Sequence, residues 1–125
     1  MNLEGHTMRT PITAPAVLAA AALLLAACGS SGEGGREVDI TQTDDGCTPA
    51  SVSVTRGERL KLVVKNQASK DSEVEGEEGT KLEEVLIPKG KTRTPGYTVP
   101  DSAETQHIKC YIPGGPATII ELVPR

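Results

Sequence analysis

The sequence predicts an all-β fold, a Greek-key two-sheet sandwich. Three observations point to it. Short runs rich in Val, Ile, Leu and Thr alternate apolar and polar residues with a period of two. Turn-forming residues recur about every ten positions, the spacing of short sandwich strands. No segment of the body carries a helical apolar stripe longer than two turns.

Taken in order, Val38 and Ile40 alternate with polar neighbours, and Val52 and Val54 start a second run that ends in the turn Arg56-Gly57-Glu58. Leu60, Leu62 and Val64 share one face of the next strand, with Lys61 and Lys65 on the other. Leu82 to Ile87 reads as a strand ended by Pro88-Lys89-Gly90-Lys91, although Thr80 to Leu86 is also compatible with one helical turn. Thr92 to Val99 is broken by Pro95-Gly96, as an edge or bulged strand would be. Ile108, Cys110 and Ile112 point one way while His107, Lys109 and Tyr111 point the other. Pro113-Gly114-Gly115-Pro116 is a tight turn, and Thr118 to Val123 is the last strand. With no Phe and no Trp, the core must be built from Val, Ile and Leu.

The N-terminal stretch has a different character. Ala14 to Ala27 is almost wholly apolar. At about 14 residues it is too short to cross a bilayer as a helix, which takes roughly 20. Arg9 precedes it and small residues follow, the layout of a secretory signal. Leu25-Ala26-Ala27-Cys28 resembles a bacterial lipobox, which implies that Cys28 takes the lipid and becomes the first mature residue. Glu4 is unusual in a basic leader, and Met8-Arg9 would give a cleaner start, so Met8 is an alternative to Met1. The expected organisation is a signal peptide over 1–27, a lipidated Cys28 and Gly/Ser tether over 28–36, and a β domain over 37–125. Residues Gly29 to Gly35 would reach roughly 15 Å as a flexible coil. The expected location is the cell membrane, outside the cytoplasm, with the lipid as anchor.

Composition narrows the function. Thirteen Lys and Arg stand against 17 Asp and Glu in 125 residues. A mildly acidic chain lacks the basic face that nucleic acid requires, and Tyr97 and Tyr111 are its only aromatic residues for stacking. His107 is the only imidazole of the mature chain, with no Ser or Asp partner that can be placed beside it, so the expectation is a non-enzymatic protein. Cys47 and Cys110 are the cysteines left after lipidation. An even number in an oxidising compartment reads first as a disulfide closing a loop of about 64 residues and contributing roughly 4 kcal/mol. Two thiols, or a thiolate metal ligand, are the other readings.

The segment Asp71 to Glu84 concentrates the acidity: Asp71, Glu73, Glu75, Glu77, Glu78, Glu83 and Glu84 stand against Lys81 alone. If extended, Glu73, Glu75 and Glu77 form a carboxylate row on one face. Such a row suits hard cations such as Ca²⁺, Mg²⁺, Mn²⁺ or Fe³⁺, a docking site for a basic partner, or simply a solvated face. Glu75-Gly76 and Gly79-Thr80-Lys81 lack the ending of a phosphate loop, and the surrounding acids would repel phosphate.

From Val38 onward the order of motifs resembles the cupredoxin-like domain family, the plastocyanin-type sandwiches whose relatives occur in bacterial iron-uptake lipoproteins of the Efe type. Asp45-Gly46-Cys47-Thr48-Pro49 looks like the family's entry motif, with Cys47 where the family has Phe. Val52-x-Val54-x-x-Gly57 and Leu60-x-Leu62-x-Val64-x-Asn66 look like its second and third strands. Ile87-Pro88-x-Gly90-x-Thr92 looks like one of its turns, and Cys110-Tyr111-Ile112-Pro113-Gly114 like its Cys-x-x-Pro-Gly copper loop. The resemblance implies a cupredoxin fold and traffic in copper or iron. It also implies two imidazoles and a thioether beside the thiolate, and these are missing. Asp71 or Ser72 stands in place of the first His, Gly115 in place of the second, and Ile119 or Ile120 in place of the Met; only Cys110 remains. A type 1 blue copper site is therefore not expected. With Cys47 near the copper end, the resemblance implies that Cys47 and Cys110 bridge the two sheets where the metal would have joined them. Any metal (copper or iron) would use a non-standard set drawn from Cys110, Glu73, Glu75 and Glu77. The alternative is a metal-free sandwich that contacts another protein or the envelope.

Overall fold

The computed structural model describes residues 34–125; the leader, Cys28 and the first part of the tether lie outside the described residues. Ten strands follow in order: β1 (Arg36–Thr43), β2 (Gly46–Thr48), β3 (Ser51–Val54), β4 (Arg59–Asn66), β5 (Ser72–Glu77), β6 (Val85–Ile87), β7 (Thr92–Arg93), β8 (Gly96–Thr98), β9 (Gln106–Tyr111) and β10 (Ala117–Pro124). They make two sheets. The first runs β2-β1-β4, with β7 and β8 both pairing with the far side of β4; the second runs β3-β10-β9-β5-β6. β1 pairs parallel with β4, from Arg36 opposite Leu60 to Gln42 opposite Asn66, and β3 pairs parallel with β10. The other pairings are antiparallel. This is the all-β two-sheet sandwich the sequence predicts.

The period-two pattern explains what lies between the sheets. Val38 and Ile40 of β1, Leu60, Leu62 and Val64 of β4, and Tyr97 of β8 face inward from the first sheet. Val54, Val74, Ile87, Ile108, Ile120 and Leu122 meet them from the second. Burying each aliphatic side chain contributes about 1.5–3 kcal/mol. The expected alternation of β9 holds residue by residue: Ile108 and Cys110 are buried, while His107, Lys109 and Tyr111 line the outer face.

Several boundaries differ from the sequence reading, each for a local reason. The run Leu82 to Ile87 is a strand only over Val85–Ile87. Gly76 N–H donates to the Leu82 carbonyl at 2.9 Å and Leu82 N–H to the Thr80 carbonyl at 3.1 Å, so the chain folds back on β5 and Leu82 packs against the core; Thr80 to Leu86 makes no helical turn. Thr92 to Val99 divides into β7 and β8 around Thr94-Pro95, while Leu62 N–H still donates to the Pro95 carbonyl at 2.9 Å and keeps the edge paired. The sandwich also begins earlier than residue 37. Arg36 opens β1 with its guanidinium 2.9 Å from the Glu58 carboxylate. Gly35 lies so close to the Arg59 carbonyl that a Cβ would sit 2.1 Å from its oxygen, so the last tether residues are part of the fold.

The strand directions give the sandwich two ends. At one, β1 starts and the turn Thr55–Glu58 closes onto Val99, with Gly57 N–H on the Val99 carbonyl at 3.0 Å. At the other meet the β1–β2 turn, the Asn66–Asp71 loop, the Pro88–Lys91 turn and the β9–β10 turn. That second end holds both cysteines and is called the cysteine pole below.

Candidate functional site at the cysteine pole

Cys47 stands on β2 in the first sheet and Cys110 on β9 in the second, and a disulfide joins them across the sandwich. Their Cα atoms are 6.2 Å apart, inside the range of roughly 4.4–6.8 Å that a bridge needs. Cys110 is fully buried and Cys47 is 7% exposed. β2 is only three residues long and holds its place through both sheets. It pairs with β1, and Cys47 N–H donates to Thr118 Oγ1 of β10 at 3.0 Å. Beyond Cys110, Ile112–Gly115 close a turn with Gly115 N–H on the Ile112 carbonyl at 2.7 Å. Gly114 sits there at φ 74°, the backbone that the third residue of a type II turn after Pro requires.

Several polar side chains lie at the same end of the sandwich, and Gln42 touches the bridge itself. Asn66 is fully used: its Nδ2 donates to the carbonyls of Lys70 (2.8 Å) and Ile87 (2.9 Å), and its Oδ1 accepts from Ala68 N–H at 2.9 Å. At the rim, Asp44 Oδ1 accepts from the Ser69 N–H at 2.8 Å and the Ser69 hydroxyl at 2.7 Å, and these bonds hold the Asp44 carboxyl below the usual carboxylate range. Gln42 is different. Its Nε2 donates to the Thr43 carbonyl at 2.7 Å, but its Oε1 lies 3.0 Å from the sulfur of Cys47 and 3.0 Å from that of Cys110. Bridged sulfurs carry no proton, so neither donates to that oxygen. Ser72 stands on the inward face of β5, beside Val74, which is the register partner of Cys110. Its hydroxyl is fully buried and has no hydrogen-bond partner among the described residues. A buried polar group without a partner costs about 1–3 kcal/mol.

The carboxylate row lies on the opposite face of the same sheet. β5 is extended, so Glu73, Glu75 and Glu77 do share its outer face. Their neighbours on β9 occupy them. Lys109 Nζ sits 3.3 Å from Glu75 and 3.4 Å from Glu77, and 4.5 Å above the Tyr111 ring. Hydrogen bonds to these two carboxylates raise the Lys109 ammonium pKa above its ordinary value. Tyr111 OH donates to Glu84 at 2.9 Å, and Glu73 first, then burial and Glu84, push the phenol well above its ordinary pKa. His107 Nδ1 is 3.1 Å from Glu78, and the His107 backbone N–H donates to Thr80 Oγ1 at 2.9 Å. Glu78-Gly79 is a tight turn closed by Thr80 N–H on the Glu77 carbonyl at 2.9 Å, which requires Gly79 at φ 85°, while Gly76 admits the Thr80 carbonyl where a Cβ would stand.

The set Cys110, Glu73, Glu75 and Glu77 is therefore corrected: the sheet separates its members. Cys110 faces the core and is bridged to Cys47, while the glutamates face outward onto Lys109 and Tyr111. Among the described residues no three His, Cys, Asp or Glu side chains converge as a metal-ligand set. Nor do the residues present fit a type 1 copper ion, which needs two imidazoles and a thiolate. Ser72, Gly115, Ile119 and Ile120 carry no imidazole or thioether, His107 points out of the sandwich, and the Cys110 sulfur is already bonded. Sequence reasoning passed over Gln42. The signal was present, since Gln42 has the same strand parity as Val38 and Ile40 and must point inward.

Two five-stranded sheets of mixed pairing, packed face to face with β1–β4 and β3–β10 as their parallel pairs, make a β-sandwich of the cupredoxin type. The chain belongs to the cupredoxin-like domain family, whose model matches residues 15–96. That match stops short of Cys110. No curated protein matches the sequence. Among solved structures, the chain is similar to auracyanin A, a "blue" copper protein from Chloroflexus aurantiacus, at 18% identity and a TM-score of 0.56 over 74% of this chain and 100% of that one. The reduced auracyanin of Roseiflexus castenholzii gives 14% identity and a TM-score of 0.53 over 73% and 99%. The copper-containing nitrite reductase of Thermus scotoductus gives 12% and 0.59 over 75% of this chain, which spans about a third (32%) of that enzyme. At these identities the likeness is one of fold.

Proposed function

We propose that the chain is a lipid-anchored, extracytoplasmic module, tethered through Cys28, whose cupredoxin-like sandwich serves contacts with another protein or the envelope and works without type 1 copper. It is neither an enzyme nor a blue-copper electron carrier. One observation carries the reading: the sulfur of Cys110, the one type 1 ligand that the resemblance leaves in place, is joined to Cys47. The anchoring part rests on the lipobox-like Leu25-Ala26-Ala27-Cys28.

The test is made on the full chain expressed in a bacterium and purified from membranes without reductant or chelator. A fatty-acid label lost in Cys28→Ala, no reactive thiol at Cys47 or Cys110 after denaturation, and no intense visible thiolate-to-copper band on adding Cu²⁺ are expected. Two reactive thiols, or a blue band, would return the protein to metal traffic. A soluble, unlabelled parent chain would remove the anchor.

A further inference from the structure

We propose that the Cys47–Cys110 bridge is a site of thiol–disulfide exchange with a protein dithiol, and that Gln42 is the positioning residue that favours its reduced, dithiol form. This rests on the bridged form that carries the proposed function, and adds a second state to it.

The fold places Gln42 against the bridge. Gln42 is the register partner of Cys47 across the β1–β2 pair and has the inward parity of Val38 and Ile40. It is fully buried. Its Nε2 donates to the Thr43 carbonyl at 2.7 Å, and this bond fixes the amide, because the turned amide would set oxygen against oxygen. Oε1 is therefore held toward the bridge, 3.0 Å from each sulfur.

The bridged form gives that oxygen no donor from either sulfur. Native interiors rarely leave a buried acceptor in that position. Breaking the S–S bond changes this. Each sulfur then carries a proton, and an amide oxygen has two lone pairs, so one oxygen between two thiols accepts from both. It offers nothing to a thiolate, so the state it favours is the protonated dithiol. A bridge that served only as a staple would be better packed by an apolar side chain at position 42, like the valine and isoleucine that precede it on the same face.

The fold has the means to hold the open form. β2 stays tied by its pairing with β1 and by Cys47 N–H on Thr118 Oγ1, and neither contact passes through the bridge. β2 is also the end strand of its sheet, and Cys47 is the more exposed of the two cysteines, so the reductant enters there.

The step balances with a protein dithiol as reductant. One thiolate of the dithiol attacks Cys47 Sγ, forms a mixed disulfide and releases Cys110 as the leaving thiolate. The second thiol of the reductant attacks its own sulfur in that mixed disulfide and releases Cys47. Two electrons and the two thiol protons of the reductant end on Cys47 and Cys110, while the dithiol becomes a disulfide. Both new thiols then donate to Gln42 Oε1.

The experiment uses the full chain, purified in detergent without reductant, with Cys47 and Cys110 followed by alkylation and peptide mass. Reduced thioredoxin is expected to open the bridge with strand content retained by circular dichroism. The S–H stretching band of the resulting dithiol should lie at lower frequency in the parent than in Gln42→Leu. In dithiothreitol redox buffers, Gln42→Leu and Gln42→Met should need about a tenfold higher ratio of reduced to oxidised reagent for half reduction, a shift of about 30 mV toward the bridged form. Asp44→Ala removes the Ser69 bonds at the rim without touching either sulfur and should leave that midpoint unchanged. Loss of strand content on reduction, or a bridge that reduced thioredoxin leaves closed, would overturn the proposal. So would Gln42 variants with the parent's midpoint, or Asp44→Ala shifting it as far as they do. Two thiols present before any reductant is added would remove the bridged form and the proposed function with it, whereas the other failures leave that reading standing.

Discussion

The cysteine pole and the outer face of the second sheet both gather polar side chains on β5 and β9, and on sequence alone both are candidates for a metal. They differ in how their polar groups are spent. On the outer face, Glu73, Glu75 and Glu77 meet Lys109 and Tyr111, so the row carries its own cation and its own hydroxyl donor. At the pole, Asn66 is satisfied on every side while Gln42 Oε1 and Ser72 Oγ are not. A density of acidic residues therefore says less about a site than the bonds those residues have already made. The informative groups are the buried ones with something left over.

The sharpest way to break this contrast is to remove the bridge. Cys47→Ala with Cys110→Ala deletes the one disulfide among the described residues, which joins the sheets across a sequence separation of 63. The chain-entropy model gives a loss of about 4 kcal/mol, a large share of the roughly 5–15 kcal/mol that holds a typical domain together. Urea unfolding of parent and double variant measures it. A loss below about 1 kcal/mol would mean that β2 holds the pole closed by its backbone bonds alone, and that the disulfide is incidental to the fold.

A finer contrast lies within the pole itself. In the bridged chain, Asn66→Leu strands the carbonyls of Lys70 and Ile87 and the N–H of Ala68, and is expected to cost about 3 kcal/mol. Ser72→Ala removes a buried hydroxyl that has no partner and is expected to stabilise by about 1 kcal/mol. The two substitutions should thus have opposite signs, read from urea midpoints at unchanged slope. If Ser72→Ala destabilises, the hydroxyl has a partner after all and the pole resembles the outer face.

Much of this was legible in the sequence, and the gaps have physical causes. The alternation of Leu60, Leu62 and Val64, and of Ile108 and Cys110, fixed the inward faces because a strand that buries one side must repeat every two residues. The bridge between the sheets followed from the resemblance and the cysteine count. β2 was invisible: three residues around a cysteine show no period, and what holds them is Thr118, far along the chain. β5 was seen only conditionally, since its outward glutamates look like a loop until Lys109 and Tyr111 are placed beside them. Whether a polar atom is satisfied depends on neighbours far along the chain. That is why Asn66 and Gln42, both polar residues near strand ends, differ so much in the fold and so little in the sequence.

The smallest effects come from pH, and they separate the two regions again. Near the pole Asp44, and at the opposite end Glu58 beside Arg36, are held below their ordinary values, by bonds from Ser69 and from Arg36 and Thr55 respectively. A depressed carboxylate stabilises above its unfolded pKa, near 4, and that contribution is lost as pH falls through the folded value. On the outer face the shifts are upward: Tyr111 stays neutral and Lys109 stays charged to higher pH than they would in an unfolded chain, where both titrate near 10. Their contributions are complete below about pH 9 and fade as pH rises through the folded values. The urea midpoint should therefore be level between about pH 5.5 and 9 and fall on both sides. Lys109→Met should flatten the alkaline limb and leave the acid limb as it was. At neutral pH its midpoint should lie slightly below the parent's, by a margin that shrinks with added salt because the paired groups are partly exposed. An acid limb that moves with Lys109→Met would show that the row and the rest of the molecule titrate as one system. An unchanged alkaline limb would mean that Lys109 is not the cation the carboxylate row depends on.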